Sequence, residues 1–458
     1  MRGGGAYRRT APRSSRVLMR TMMVLIGLAP LPLGSNRPFL WGLTAFAIGL
    51  TILVWAISNR RKHAEPTVTL QSMRLQAVLF GAFLLFLVFQ ILPIGPWLGT
   101  LASAGLENLD VVPHTLSLAP GETLLMLLRQ LTYAGVFFLM LQVGSSDSQR
   151  SKSLDVLLII ITAYAMIGIA SLRMGDTILG LQKWAYLGSA TGTFVNRNSF
   201  ATFLAFGGVL ATTQLVDVIG LWRERRREGG ALLRRSLPGV MLYSAALLLI
   251  LAAVVSTQSR MGFAVILCGV LVVLGLAVAR NLRLLLGALG LVILGGLALL
   301  GLLLFYGEGL LTRLDALEKS TEVRMALYTQ ILELIALRPW GGFGGGAFAS
   351  AFPLVHELPV SAHSVWDKAH SSYLALWSEI GLIFGSIPII LLGFMALRLL
   401  TSLLAKRGSW RAQTVALGAI VVGAVHSTVD FSLEIQANTI MFLTLIALGY
   451  ATTLKSTK

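Results

Sequence analysis

Cysteine is all but missing from the 458 residues. Cys268 stands alone, which excludes an internal disulfide and any metal site built from several thiolates. Charge is scarce too: only 12% of residues are Asp, Glu, Lys or Arg, while 55% are hydrophobic and the mean hydropathy is +0.78. That apolar surplus exceeds what a soluble core needs and excludes an ordinary soluble enzyme. Acid is the rarer charge, with 20 Asp+Glu against 37 Lys+Arg and a formal net charge of +17. In a soluble protein such an excess would point to nucleic acid. Here it points to a membrane, because integral membrane proteins collect Lys and Arg in their cytoplasmic loops. No nucleic-acid partner is expected.

Long apolar runs are what the chain has instead. A spanning helix needs about 20 mostly apolar residues. Twelve stretches qualify, at 17–34, 38–58, 75–97, 122–143, 154–172, 199–221, 238–256, 262–279, 284–305, 371–397, 412–429 and 435–454. The predicted fold class is therefore all-α, a polytopic transmembrane helix bundle of about twelve spans with a long periplasmic loop containing amphipathic helices. The chain divides into 1–305 with spans one to nine, 306–369 as the loop, and 370–458 with spans ten to twelve.

The basic residues set the orientation. With a cytoplasmic N-terminus, 26 Lys and Arg fall inside and ten outside, with Arg129 within span four. The positive-inside rule then places both termini in the cytoplasm. The arginine-rich start reads as the lead-in to an uncleaved first helix, since eleven more spans follow and no small-x-small cleavage site closes the run. The one long connection, about Tyr306 to Ala369, lies outside and is neither low-complexity nor strongly charged, which marks it as the place for chemistry.

The ten outer basic residues each need a local reason. For Arg37, Arg173 and Lys183 a side chain snorkelling to the headgroups suffices. Arg260, in Thr257-Gln-Ser-Arg-Met-Gly262, sits in a connection of only a few residues and is held near the membrane plane. Arg324 belongs to a stretch where Leu327, Ile331, Leu334 and Ile335 recur at helical spacing, as in an amphipathic interfacial helix. Arg197 stands between Asn196 and Asn198 at the mouth of span six, where free backbone N–H groups already favour an anion. Capping explains one asparagine but not the whole triplet.

Downstream, Pro339 ends the amphipathic helix and the run Gly341-Gly-Phe-Gly-Gly-Gly346 follows; its glycines permit positive φ or close approach to a ligand, a flexible turn being as good an explanation. No predicted strand precedes it, so a dinucleotide-binding reading fails. His370 and Tyr373 are spaced to share a helix face, and Glu379 lies about two and a half turns deeper, where a carboxylate needs a partner. Of the six histidines, His63, His114, His356 and His363 read as solvated loop residues. His370, at the membrane boundary beside the glycine run, is the best general-base candidate. His426 is its rival, four residues before Asp430 and spaced to pair with it on one face.

These residues together resemble the bacterial O-antigen ligase and O-antigen polymerase family of integral membrane glycosyltransferases. The likeness rests on the span number, the long outer loop before the last three spans, and five local patterns. These are Gly192-Thr-Phe-Val-Asn-Arg-Asn198, Ser259-Arg-Met-Gly262, Arg324 with the downstream glycine run, His370 leading into Glu379-Ile-Gly381, and His426-Ser-Thr-Val-Asp430-Phe431. The family pattern usually places Asn after the histidine; here Ser371 follows.

The resemblance implies an inverting, metal-independent enzyme with no cofactor, working at the periplasmic face of the bacterial inner membrane. Its donor would be an undecaprenyl-diphosphate-linked glycan, and its acceptor lipid A core or a second lipid-linked glycan. In that expectation Arg260 and Arg324 hold the diphosphate and His370 takes the acceptor proton. Asn196, Arg197, Asn198, Gly344, Gly346 and Tyr373 shape the substrate site, with Glu379, His426 and Asp430 in support. The alternative from another class is a polytopic transporter or flippase of a lipid-linked saccharide, and a purely structural partner in an envelope complex is a third. The single asymmetric outer loop and the polar residues gathered at the outer boundary favour the enzyme over two similar halves with mid-membrane polar sites.

Overall fold

The computed structural model describes residues 13–63, 65–107, 113–226, 233–280, 314–363 and 365–454. Span nine, expected at 284–305, lies outside the described residues. Among the described residues twelve long helices carry the fold: α1 (Arg13–Leu28), α2 (Pro38–Arg61), α3 (Arg74–Ile91), α4 (Pro120–Gly144), α5 (Asp147–Arg173), α6 (Arg197–Arg226), α7 (Leu233–Ser256), α8 (Arg260–Arg280), α9 (Leu314–Leu337), α10 (Ser372–Leu404), α11 (Trp410–His426) and α12 (Gln436–Tyr450). Sheet among the described residues is confined to an antiparallel two-residue pair, β1 (Thr177–Ile178) and β2 (Leu181–Gln182), with Thr177 opposite Gln182. Among the described residues eight helices are long and apolar enough to cross a membrane: α2, Leu70–Ile91 around α3, α4, α5, α6 to Gly220, α7 from Leu237, α8 and α10. Helices α1, α11 and α12 have 16, 17 and 15 residues.

Local chemistry sets the helix ends. Proline occupies the first turn of α2 and of α4, where its missing N–H costs nothing. Ser371 and Ser409 cap α10 and α11, accepting from the N–H of Leu374 and Ala412.

Burial ranks the helices from rim to centre. Along α2 only Ile48 is buried, while Phe39, Phe46, Leu50, Leu53 and Val54 face outward. Helix α6 is the opposite, with Phe200, Phe203, Leu204, Phe206, Val209 and Leu210 wholly buried. It is enclosed by α7, α8 and α11. Small residues let these backbones approach closely: a Cβ on Gly418 would lie 2.6 Å from Val209, and one on Gly208 2.5 Å from Ile266.

Helix α9 lies apart from this core. Leu327, Ile331, Leu334 and Ile335 are buried, as the spacing predicts, against Phe343, Phe348, Phe352 and Val360 in a second apolar cluster. The expected outer loop is thus, over 314–369, a helix folded onto the segment that follows it. Arg338, at the end of α9, is 1% exposed and donates to three carbonyls, of Ala104 at 2.8 Å, Leu116 at 3.1 Å and Ala102. Burial lowers its pKa to about 10, with Glu107 opposing, so it stays charged at neutral pH. An Arg338→Met variant keeps the length but strands all three acceptors. It is expected to lose about 3 kcal/mol of stability, read as a lower thermal unfolding midpoint in detergent.

Candidate active site

Four connections meet at one end of the bundle: the 189–198 segment entering α6, the α7–α8 turn, the α11–α12 turn, and residues 366–371 entering α10. Asn198 joins three of them. Its own N–H donates to Asn196 Oδ1 at 2.7 Å, which shapes the entry to α6. Its Nδ2 donates to Asp430 Oδ2 at 2.9 Å, and its Oδ1 accepts from Ser259 Oγ at 2.9 Å. Ser259 in turn caps α8 by accepting from Gly262 N at 3.0 Å. The other Asp430 oxygen accepts from Ser432 Oγ, and the residue is 1% exposed. A buried carboxylate with donors on both oxygens is a rigid fixed charge.

His426 does not pair with Asp430. Helix α11 ends at His426, so the chain turns before the fourth residue comes round. The imidazole Nδ1 instead shares a hydrogen bond with Thr202 Oγ1 of α6. His370 likewise does not share a helix face with Tyr373. It stands outside α10 with φ of 51°, ahead of the capping Ser371, a strained backbone held by its surroundings. Its carbonyl accepts from Tyr328 Oη at 2.9 Å. Its ring meets Phe431 edge-on at 5.2 Å between centroids and Trp366 at 6.0 Å. Neighbouring bonds tie the start of α10 to the α11–α12 turn: Ser372 N donates to Ser427 O at 3.0 Å and Ser372 Oγ to Asp430 O at 3.3 Å.

Burial lowers the His370 pKa below 6.5. Asp430, Glu434 and Asp367 pull it back up, while Arg324 pushes it further down. The ring is therefore neutral, a proton acceptor, at neutral pH. Arg324 lies on the exposed side of α9, one turn before Tyr328, and its field also reaches that tyrosine, whose pKa burial raises. Arg260 opens α8 beside Ser259 and is exposed. Neither arginine forms an ion pair with a described carboxylate. Arg197 Nη1 donates to Ser189 Oγ at 3.3 Å, and its guanidinium lies 5.6 Å from the centre of the Tyr186 ring. Tyr373 Oη donates to Ala424 O at 2.9 Å, bracing α10 on α11. Among the described residues no group of three His, Cys, Asp or Glu side chains is placed to hold a metal.

The glycine run is buried from Gly341 to Gly345 and exposed at Gly346. Its partner is Glu379, whose carboxylate accepts from the N–H of Gly346 and from that of Phe348 at 3.3 Å. Glu379 O accepts from Gly344 N at 2.8 Å and from Gln90 Nε2 at 2.9 Å, and Phe343 N donates to Ser378 O at 2.9 Å. Gly344 and Gly346 have φ of 109° and 76°, which bring the loop against Ser117 and Glu122. The run therefore packs on α3, α4 and α10, away from the immediate surroundings of His370, and the buried carboxylate pairs with main-chain N–H groups. Here α10 opens: Gly381 has φ of 76°, and Leu382 N donates to Pro339 O at 2.8 Å instead of completing the helical ladder.

Several contributors were hidden in the sequence. Lys183 does not snorkel; it is buried, pairs with Asp176 at 2.6 Å, and donates to the carbonyls of Tyr186 and Ser189. Lys368 pairs with Glu434 at 3.1 Å. Burial works against its ammonium, yet Glu434 and Glu379 outweigh it and raise its pKa. Arg129 stacks on Trp41 at 4.4 Å and donates to Glu434 O. Its position inside an apolar span was the available signal.

The fold defines a polytopic helical membrane protein with a cluster of hydrogen-bonded polar side chains at one end of the bundle. Residues 245–388, about a third of the chain, match the family model described as O-antigen ligase, which supports the O-antigen ligase and polymerase family and a glycosyltransferase-like enzyme. The matched stretch runs from within α7 into α10 and contains Arg260, Arg324, the glycine run, His370, Tyr373 and Glu379; Asn196, Arg197, Asn198, His426 and Asp430 lie outside it. No curated protein matches the chain.

Proposed function

We propose that the protein transfers a glycan from an undecaprenyl-diphosphate carrier to an acceptor hydroxyl at the periplasmic face of the bacterial inner membrane, with both termini cytoplasmic. The ligase form of the reaction, with lipid A core as acceptor, is favoured slightly over polymerisation onto a second lipid-linked glycan. The observation that carries the reading is a neutral, half-buried His370 set among the fields of Asp430 and Arg324 at the end of the bundle that also holds Arg260. His370 takes the hydroxyl proton as the acceptor oxygen attacks the anomeric carbon. The bond from that carbon to the diphosphate breaks, its electron pair leaves on the diphosphate oxygen, and the configuration inverts. Arg260 and Arg324 present guanidinium forks to the phosphate oxygens and stabilise the departing charge without a metal. Asn198, Asp430 and Ser259 keep the connections in register. Asn196, Arg197 and Tyr373 border the substrate, while the glycine run with Gly344 and Gly346 braces α10 from its far side through Glu379. His426 holds α11 on α6.

The test uses purified protein in lipid, an undecaprenyl-diphosphate glycan, and either lipid A core or a second lipid-linked repeat, with and without a chelator. Modified core supports the ligase form, a ladder the polymerase form. Passage of a labelled lipid-linked glycan across the bilayer, with neither product formed, overturns the reading. Arg260→Ala and Arg324→Ala are each expected to cut transfer by about 10²–10³-fold. The Lys replacements should recover part of it, because they keep the charge and lose the fork.

A further inference from the structure

Beside the proposed reacting centre lies a cleft of about 210 Å³, lined among others by Asn36, Tyr186, Asn196, Asp367, Lys368 and Phe431. Phe431 separates it from His370: the phenyl ring that lines the cleft also meets the imidazole at 5.2 Å. Asp367 and Lys368 lie three and two residues ahead of His370, so the cleft and the base are built on one segment. We propose that this cleft seats an uncharged pyranose ring of the glycan. The inference deepens the transfer reaction and rests on it for which substrate the ring belongs to.

Three observations argue for a sugar. A pyranose has faces of C–H groups and a rim of hydroxyls, each able to donate and accept; it suits aromatic rings flanked by planar polar groups. The lining supplies both, with Tyr186 and Phe431 as rings. Second, much of the polar lining is unused by protein. Asn196 Oδ1 receives the Asn198 N–H, while its amide nitrogen, the Asn36 amide, the Tyr186 hydroxyl and the Asp367 carboxylate have no hydrogen-bond partner among the described residues. These are two amides, a hydroxyl and a carboxylate, which match a hydroxylated rim in both directions of hydrogen bonding. Third, the charge is wrong for an anion. Lys368 is neutralised by Glu434 at 3.1 Å, so the uncompensated charge on the wall is Asp367, and no arginine lines the cleft. A uronate ring or a phosphate would meet repulsion there. An isoprenoid chain would leave the amides unsatisfied.

The test is saturation-transfer NMR on the full chain in nanodiscs, with methyl β-glucopyranoside, methyl β-glucuronide and farnesyl diphosphate as probes. The neutral glycoside is expected to bind, and Asn36→Trp, which fills the cleft, to lower that signal about tenfold, the loss of one or two hydrogen bonds. The glucuronide is expected to bind poorly and to gain in Asp367→Asn. Absence of glycoside binding, an equal signal in Asn36→Trp, or a preference for the glucuronide overturns the proposal. Thermal unfolding confirms that each variant is folded. Farnesyl diphosphate separates the two readings: its binding is expected to survive Asn36→Trp and to fall in Arg260→Ala and Arg324→Ala. Insensitivity to the arginine changes would sink the diphosphate clamp and leave the sugar cleft standing.

Discussion

His370→Ala is expected to lose about 10²–10⁴-fold in transfer, the range a positioned general base contributes, while inserting and unfolding like the parent. The fold should tolerate the change because the main-chain carbonyl of His370, which survives in alanine, holds the Tyr328 hydroxyl, and α10 is capped by Ser371. The ring contributes edge contacts to Phe431 and Trp366. Full transfer by a folded alanine variant would remove His370 from the mechanism. The parent's pH profile tests the same assignment. Burial lowers the His370 pKa below 6.5, so the neutral base persists further into acid than a free imidazole would. On that sign, kcat/KM should be level above pH 6.5 and fall with a midpoint below it. Asp430 raises that pKa, so Asp430→Asn should move the midpoint lower still; a simple packing role for the carboxylate would leave it in place.

Gly344→Ala is expected to yield little folded protein. The φ of 109° is one that L side chains rarely adopt, and the new Cβ would stand 2.1 Å from Ser117 Oγ and 2.8 Å from Ser117 Cα. Rotation of the serine relieves the first contact; the second is backbone. Strain of about 1–3 kcal/mol adds to overpacking of similar size, a large share of the roughly 5–15 kcal/mol that holds a folded domain. Gly341→Ala is the control, since its nearest neighbours are the Leu116 methyls at 3.3 Å. Folded yield by size-exclusion chromatography and thermal unfolding should separate the two. Equal behaviour would mean that the run is a loose turn after all.

The helices were legible because a spanning segment advertises itself. The run read at 122–143 is α4 at Pro120–Gly144, and that at 262–279 is α8 at Arg260–Arg280. The apolar face of α9 was equally plain, since Leu327, Ile331, Leu334 and Ile335 follow the helical period. What composition and spacing could not carry was partnership. Asn198 meets Asp430 across 232 positions and His426 meets Thr202 across 224. Local arithmetic instead pairs His426 with Asp430 and His370 with Tyr373, and both pairings fail because a helix stops at 426 in one case and starts at 372 in the other. Asn198, Ser259, Asp430 and Ser372 are tied together at one end of the bundle by contacts that no local spacing records. Gln90 was passed over for the same reason. It looks like one amide in an apolar span, yet it donates to Gly341 O and Glu379 O and accepts from Gly345 N.

The opening of α10 at Gly381 has a mechanical consequence. Its first nine residues, Ser372–Ile380, are bonded to the glycine run and to the α11–α12 turn, while the 23 beyond Gly381 continue to Leu404. A tilt of the long arm, as a thicker or thinner bilayer would impose, bends the joint where the ladder is already broken. The short arm stays with the loop that clasps it. His370 is thereby insulated from the lateral load on the helix that follows it, as a hinge pin isolates a latch from the swing of its door.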